Sequence, residues 1–82
     1  YNELTKQVVL NSHHLYQKLA ENHEFERRLM DMLTEKERAR MHCNKNESNK
    51  RSNEVLTLHQ RLGRCRKAIS IIERDIELAE KR

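Results

Sequence analysis

The sequence predicts an all-α fold: two long helices in an antiparallel coiled-coil hairpin, assembling into a dimeric four-helix bundle. Three observations carry the prediction. Val55, Leu58, Leu62, Cys65, Ile69, Ile72, Ile76 and Ala79 recur at spacings of three and four, the seam that one helix offers another. One glycine and no proline in 82 residues leave almost nothing to break a helix or build the turns of a β fold. Finally, a polar stretch after Cys43 separates two periodic segments that hold different heptad frames.

The first helix is expected over about residues 3–42, where Leu4, Val8, Leu15, Leu19, Phe25, Leu29, Met32 and Leu33 follow helical spacing. With Val8 at heptad position a, Leu15, Asn22 and Leu29 are also at a. Leu4, Phe25 and Met32 then fall at d, Leu19 and Leu33 at e, and Val9, Tyr16 and Met30 at b. These positions are contiguous on the helix and span roughly 160°, wider than a two-stranded seam, so this helix should touch more than one neighbour. Asn22, a polar residue in an a row, is the expected register-setting position.

A polar turn is expected over about 43–51, because Asn and Ser side chains compete for backbone hydrogen bonds and favour caps and turns. Ser48, Asn49, Ser52 and Asn53 could each cap the second helix, and Asn44 with Glu47 has the spacing of a weak capping box. The second helix is then expected over about 52–81. The alternative is one continuous long helix in a parallel coiled coil. In that arrangement each g residue meets the e residue five positions on, and Arg61 would face Arg66 and Asp75 would face Glu80. Folding back near Asn49 instead places Leu29 near Ile69, Phe25 near Ile72 and Cys65 near Leu33, with Lys67 beside Asp31 and Arg61 beside Glu37.

The interface and core residues expected from this arrangement are Leu15, Leu19, Phe25, Leu29, Leu33, Val55, Leu58, Leu62, Cys65, Ile69, Ile72 and Ile76. Leu4, Val8, Val9, Tyr16, Met30, Ile71 and Leu78 lie outside that pairing and form the candidate partner surface. A two-helix hairpin of this size has a poor core by itself, so a homodimer or a helix of another protein is the expected partner. Low mean hydropathy, −1.07, and 37% charged residues also suit a disordered chain. Such chains lack the regular apolar period seen here.

Function follows from what is present and what is not. No glycine-rich phosphate loop or nucleophile-bearing turn occurs, and acids alternate with bases as solvated helix partners do, so no enzyme is expected. His13, His14, His23, His42 and His59 show no His-x-x-x-His pair, and Cys43 and Cys65 are 22 residues apart, so neither metal nor other cofactor is expected. The net charge of +4 is uneven: residues 1–41 carry seven bases and seven acids, residues 42–82 ten and six. Lys45, Lys50, Arg51, Arg61, Arg64, Arg66 and Lys67 face only Glu47 and Glu54 in that stretch.

The alternative function is therefore a basic coiled-coil region binding nucleic acid, resembling a degenerate basic zipper. The zipper motif Asn-x-x-Ala-Ala-x-x-Cys/Ser-Arg fits poorly. From Asn44 it would place Glu47 and Ser48 at the alanines and end in Arg51-Ser52, reversed in order. Intramolecular acidic partners for the basic residues also argue against nucleic acid. The favoured reading is a non-catalytic protein–protein interaction and oligomerisation module. It is expected to belong to a larger intracellular protein, cytoplasmic rather than nuclear, with reduced cysteines and no membrane span.

Overall fold

The computed structural model describes the backbone of residues 3–81 and the side chains of residues 12–81. Two helices, α1 (Glu3–His42) and α2 (Lys45–Glu80), pack against each other as an antiparallel hairpin. The rod measures 66 × 14 × 12 Å. One uninterrupted helix of this chain would reach about 120 Å at 1.5 Å per residue, so the continuous-helix alternative is not the structure.

The break between the helices spans Cys43 and Asn44 rather than the nine-residue turn expected from the polar stretch. Asn44 is extended (φ −79°, ψ 172°), and its side-chain oxygen accepts the Glu47 amide at 3.0 Å. This is the accepting half of a capping box, and it ties up one of the four unpaired amides at the start of α2. On the other side the Cys43 thiol donates to the Arg40 carbonyl at 3.0 Å. Arg40 and His42 in the last turn of α1, and Glu47 in the first turn of α2, suit the opposite ends of the two helix dipoles.

Once capped at Asn44, the polar segment 45–54 continues as helix because propagation adds a hydrogen bond per residue while the nucleus already exists. Glu54 then anchors it, meeting Lys36 of α1 at 3.1 Å and Arg51 at 3.2 Å. Ser48, Asn49, Ser52 and Asn53 lie within α2. Replacing Asn44 by Ala is expected to cost about 1 kcal/mol and to fray residues 45–50 first, read by amide hydrogen exchange.

Turning at residue 44 instead of 49 resets the pairing of the helices. Cys65 lies against the Asn22 carbonyl, to which its thiol donates at 3.4 Å, and not against Leu33. The pairings of Leu29 with Ile69 and Phe25 with Ile72 shift with it. Lys67 with Asp31 and Arg61 with Glu37 give way to Arg66 with Glu26 (3.1 Å) and His59 with Glu37 (3.7 Å).

Val55, Leu58, Leu62, Ile69 and Ile76 of α2 are buried, with Cys65 and Ile72 half-buried in the same seam. Facing them, α1 presents two rows one heptad apart in step. Leu15, Asn22, Leu29 and Lys36 form one row, and Ser12, Leu19, Glu26 and Leu33 the other, all half-buried. Leu19 and Leu33, both expected core residues, thus enter the seam, whereas Phe25, expected there with them, does not. Phe25 is 53% exposed and leaves the core, with the Arg28 guanidinium 6.0 Å from its ring centroid. This choice of rows buries two leucines and lets Glu26 meet Arg66, whereas the other row would have brought Lys18 into the seam.

Candidate protein-binding surface

The two edges of the seam differ in chemistry. Along one edge runs a polar ladder linking α1 to α2. Its steps are His59 with Glu37, Arg66 with Glu26, and the Tyr16 hydroxyl donating to Glu80 at 2.6 Å. Arg66 also reaches the Met30 sulfur at 3.8 Å. The exposed side chains of Tyr16 and Met30 therefore serve this edge, each contributing a polar atom and leaving apolar surface to solvent.

Along the other edge lies a shallow open groove of about 220 Å³, lined by Met32, Lys36, Glu54, Thr57, Leu58 and Arg61. It is too small and too open to enclose a substrate, for which pockets of roughly 300–1,000 Å³ are usual. Phe25 precedes Met32 by one heptad and shares its row. On α2, Ile71 and Leu78 continue the row of Thr57, so they share the groove edge, each about half exposed. Of the candidate partner surface, Tyr16, Met30, Ile71 and Leu78 are exposed, while Leu4, Val8 and Val9 lie outside the described side chains. Phe25, Met32, Met41 and Leu56 are exposed as well. The signal that could have placed Phe25 and Met32 outside was the 12, 15, 19, 22, 26, 29, 33, 36 spacing of α1, masked by its four polar members.

Asn22 sits in the seam, but its side-chain amide donates to the Lys18 carbonyl of its own helix at 2.8 Å. The cross-helix contact at that level is made by its backbone carbonyl with Cys65.

Charge pairing across the helices shifts three groups. The hydrogen bond from Arg66, then that from His23, holds the Glu26 carboxyl below its ordinary 4.5. Lys36, followed by Arg51, does the same for Glu54. Tyr16 is pushed above its ordinary 10.0, first by its hydrogen bond to Glu80. The lowered carboxyls stabilise the hairpin above pH 4.5, and that contribution disappears as pH falls through their folded values. The raised phenol contributes below pH 10 and is lost as pH rises through its folded value. Thermal melts followed by circular dichroism should accordingly show the midpoint declining at both limits, with Glu26→Gln flattening the acid limb.

Among the described residues no group of His, Cys, Asp and Glu converges to hold a metal ion. None of their helices is long and apolar enough to cross a membrane. Lys45, Lys50, Arg61, Arg64, Lys67 and Arg74 make no ion pair among them, so the acidic partners expected for Arg61 and Lys67 are not found. The seam from Val55 to Ile76 is occupied by α1 and is therefore not free to serve as a parallel zipper.

The sequence model of PriC, described as primosomal replication protein priC, matches residues 2–80. The chain belongs to the PriC family. The match runs through both helices and the Asn44 turn, so the whole hairpin, including the groove edge and the polar ladder, is PriC-family sequence. No curated protein and no solved structure matches the chain.

Proposed function

We propose that the hairpin acts in primosomal replication as a non-catalytic adaptor, taking part in restarting DNA replication by binding other polypeptides along its outer edges. The observation that carries this reading is the surface left after the seam is closed. Phe25, Met32, Ile71 and Leu78 remain about half exposed on one edge, and Tyr16 and Met30 on the other. An adaptor for several partners uses such separate apolar strips framed by charge, where an enzyme would need a concave site. Membership of the PriC family supports the primosomal setting, and with it a place inside the cell beside the DNA.

The test is a reconstituted replication-restart reaction with edge variants of the intact protein. Phe25→Glu with Ile71→Glu, and separately Tyr16→Lys with Met30→Glu, which keeps a favourable partner for Glu80 and for Arg66, are expected to cut restart tenfold or more in at least one pair. The helical signal should be retained, since these side chains lie outside the core. Full activity in both pairs would overturn the adaptor reading.

A second reading, direct contact with nucleic acid, is favoured by the six basic side chains of α2 that have no acidic partner among the described residues. Its signature is salt dependence, because neutralised phosphates release counterions. Affinity for single-stranded DNA should fall with a log–log slope of about 0.7 per contact, and Arg64→Ala and Lys67→Ala should each lower that slope accordingly. Absence of binding at low salt removes this reading.

A further inference from the structure

Outside the buried seam, α2 carries a second stripe with the same alternation of threes and fours. Arg61, Arg64, Ala68, Ile71, Asp75 and Leu78 all lie on the groove edge, since Arg61 and Thr57 line the groove and these residues continue their two rows. Among the described residues the stripe is left largely open: Ile71 is 52% and Leu78 56% exposed, and only Ala68 is half-buried beside α1. Neither Arg61 nor Asp75 pairs with a charge among the described residues.

The order of residues in the stripe is directional. Its first half is basic, its second half acidic and apolar, and small, half-buried Ala68 stands between them. Arg61 and Asp75 are each seven residues, two helical turns, from Ala68. A copy of the stripe running the opposite way, with a twofold axis at Ala68, brings Arg61 of each chain to Asp75 of the other, twice. The same operation lays the aliphatic stem of Arg64 over Ile71 of its partner. A parallel copy would set Arg61 against Arg61 and Asp75 against Asp75. Charge thus selects both the occupant and its direction, and a twofold contact requires this kind of self-complementarity.

We propose that two copies of the chain associate by pairing α2 with α2, antiparallel, through this outer stripe about Ala68. Met32 lines the same groove, and exposed Phe25, one heptad before it in the same row of α1, extends the apolar area along that edge. The inference deepens the adaptor reading by naming one occupant of the groove edge, and it is tested without any replication component.

Sedimentation of the chain alone from micromolar to millimolar concentration, at low salt, should show the mass rising from 9.9 kDa toward twice that value. Arg61→Asp or Asp75→Arg alone turns two attractions into two repulsions and should weaken the dimer about tenfold. The double variant R61D/D75R should regain the affinity, with helicity unchanged throughout. A mass of 9.9 kDa at every concentration, or a double variant no tighter than the single ones, overturns the proposal. Either result leaves the restart assay free to succeed or fail by itself.

Discussion

Leu62→Ala is expected to cost about 2–4 kcal/mol and to leave much of the chain unfolded at 25 °C, as followed by helicity in urea. Leu62 is 5% exposed at the centre of the seam, so truncation removes buried apolar area and opens a cavity between two helices that cannot easily close on it. The effect is large because a two-helix core of this size commands only a few kcal/mol in all. Phe25→Ala removes a bigger side chain, yet it should change stability by no more than about 0.5 kcal/mol, the ordinary range for surface sites. Its ring is 53% exposed and touches the hairpin mainly from outside. Equal losses for the two variants would mean that Phe25, and not Leu19 and Leu33, completes the seam.

Reversing the charge of Glu26 should be the next most damaging change. Its side chain is 24% exposed in the seam and joins Arg66 across the helices, so Glu26→Arg sets two guanidinium groups together where one carboxylate had served. A loss of helicity at lower urea concentration than for the unchanged chain is expected, with Arg66 54% exposed and solvent screening part of the repulsion. Adding Arg66→Glu should recover most of it. The same cycle at Asp31 and Lys67 should show no coupling, because those residues are not paired in the structure. The pair of cycles reads the alignment of the helices directly, since a fold-back at residue 49 would give the opposite pattern.

How much of this was legible beforehand differs between the helices. In α2 nearly every seam position is Leu, Ile or Val, and the five buried residues, Val55, Leu58, Leu62, Ile69 and Ile76, are all among the expected core residues. In α1 the row that enters the seam contains Ser12 and Glu26, while the row beside it contains Phe25 and Met32. Hydrophobicity counted along the chain favours the aromatic row. Only the position of Arg66 on the opposing helix makes Glu26 an acceptable seam residue. The exposed strips at Tyr16, Met30, Ile71 and Leu78 were recognised as surplus to the pairing, but their division between two edges required the helices to be docked.

The turn shows the same limit. Asn44 with Glu47 had the spacing of a cap, yet several Asn and Ser residues downstream were equally able to serve, and a polar segment is compatible with either turn or helix. Choosing Asn44 moved the fold-back by about five residues and with it every cross-helix partner. The sequence by itself determined that the chain is helical, that it breaks once, and that the face from Val55 to Ile76 must be covered, because these follow from local propensity and from 100° of rotation per residue. Only the tertiary structure decided which rows of α1 cover it, which charges meet, and which apolar side chains stay outside. Those outcomes depend on the relative alignment of two helices, set jointly by one cap and by side chains far apart in the sequence, from Lys36 with Glu54 to Tyr16 with Glu80.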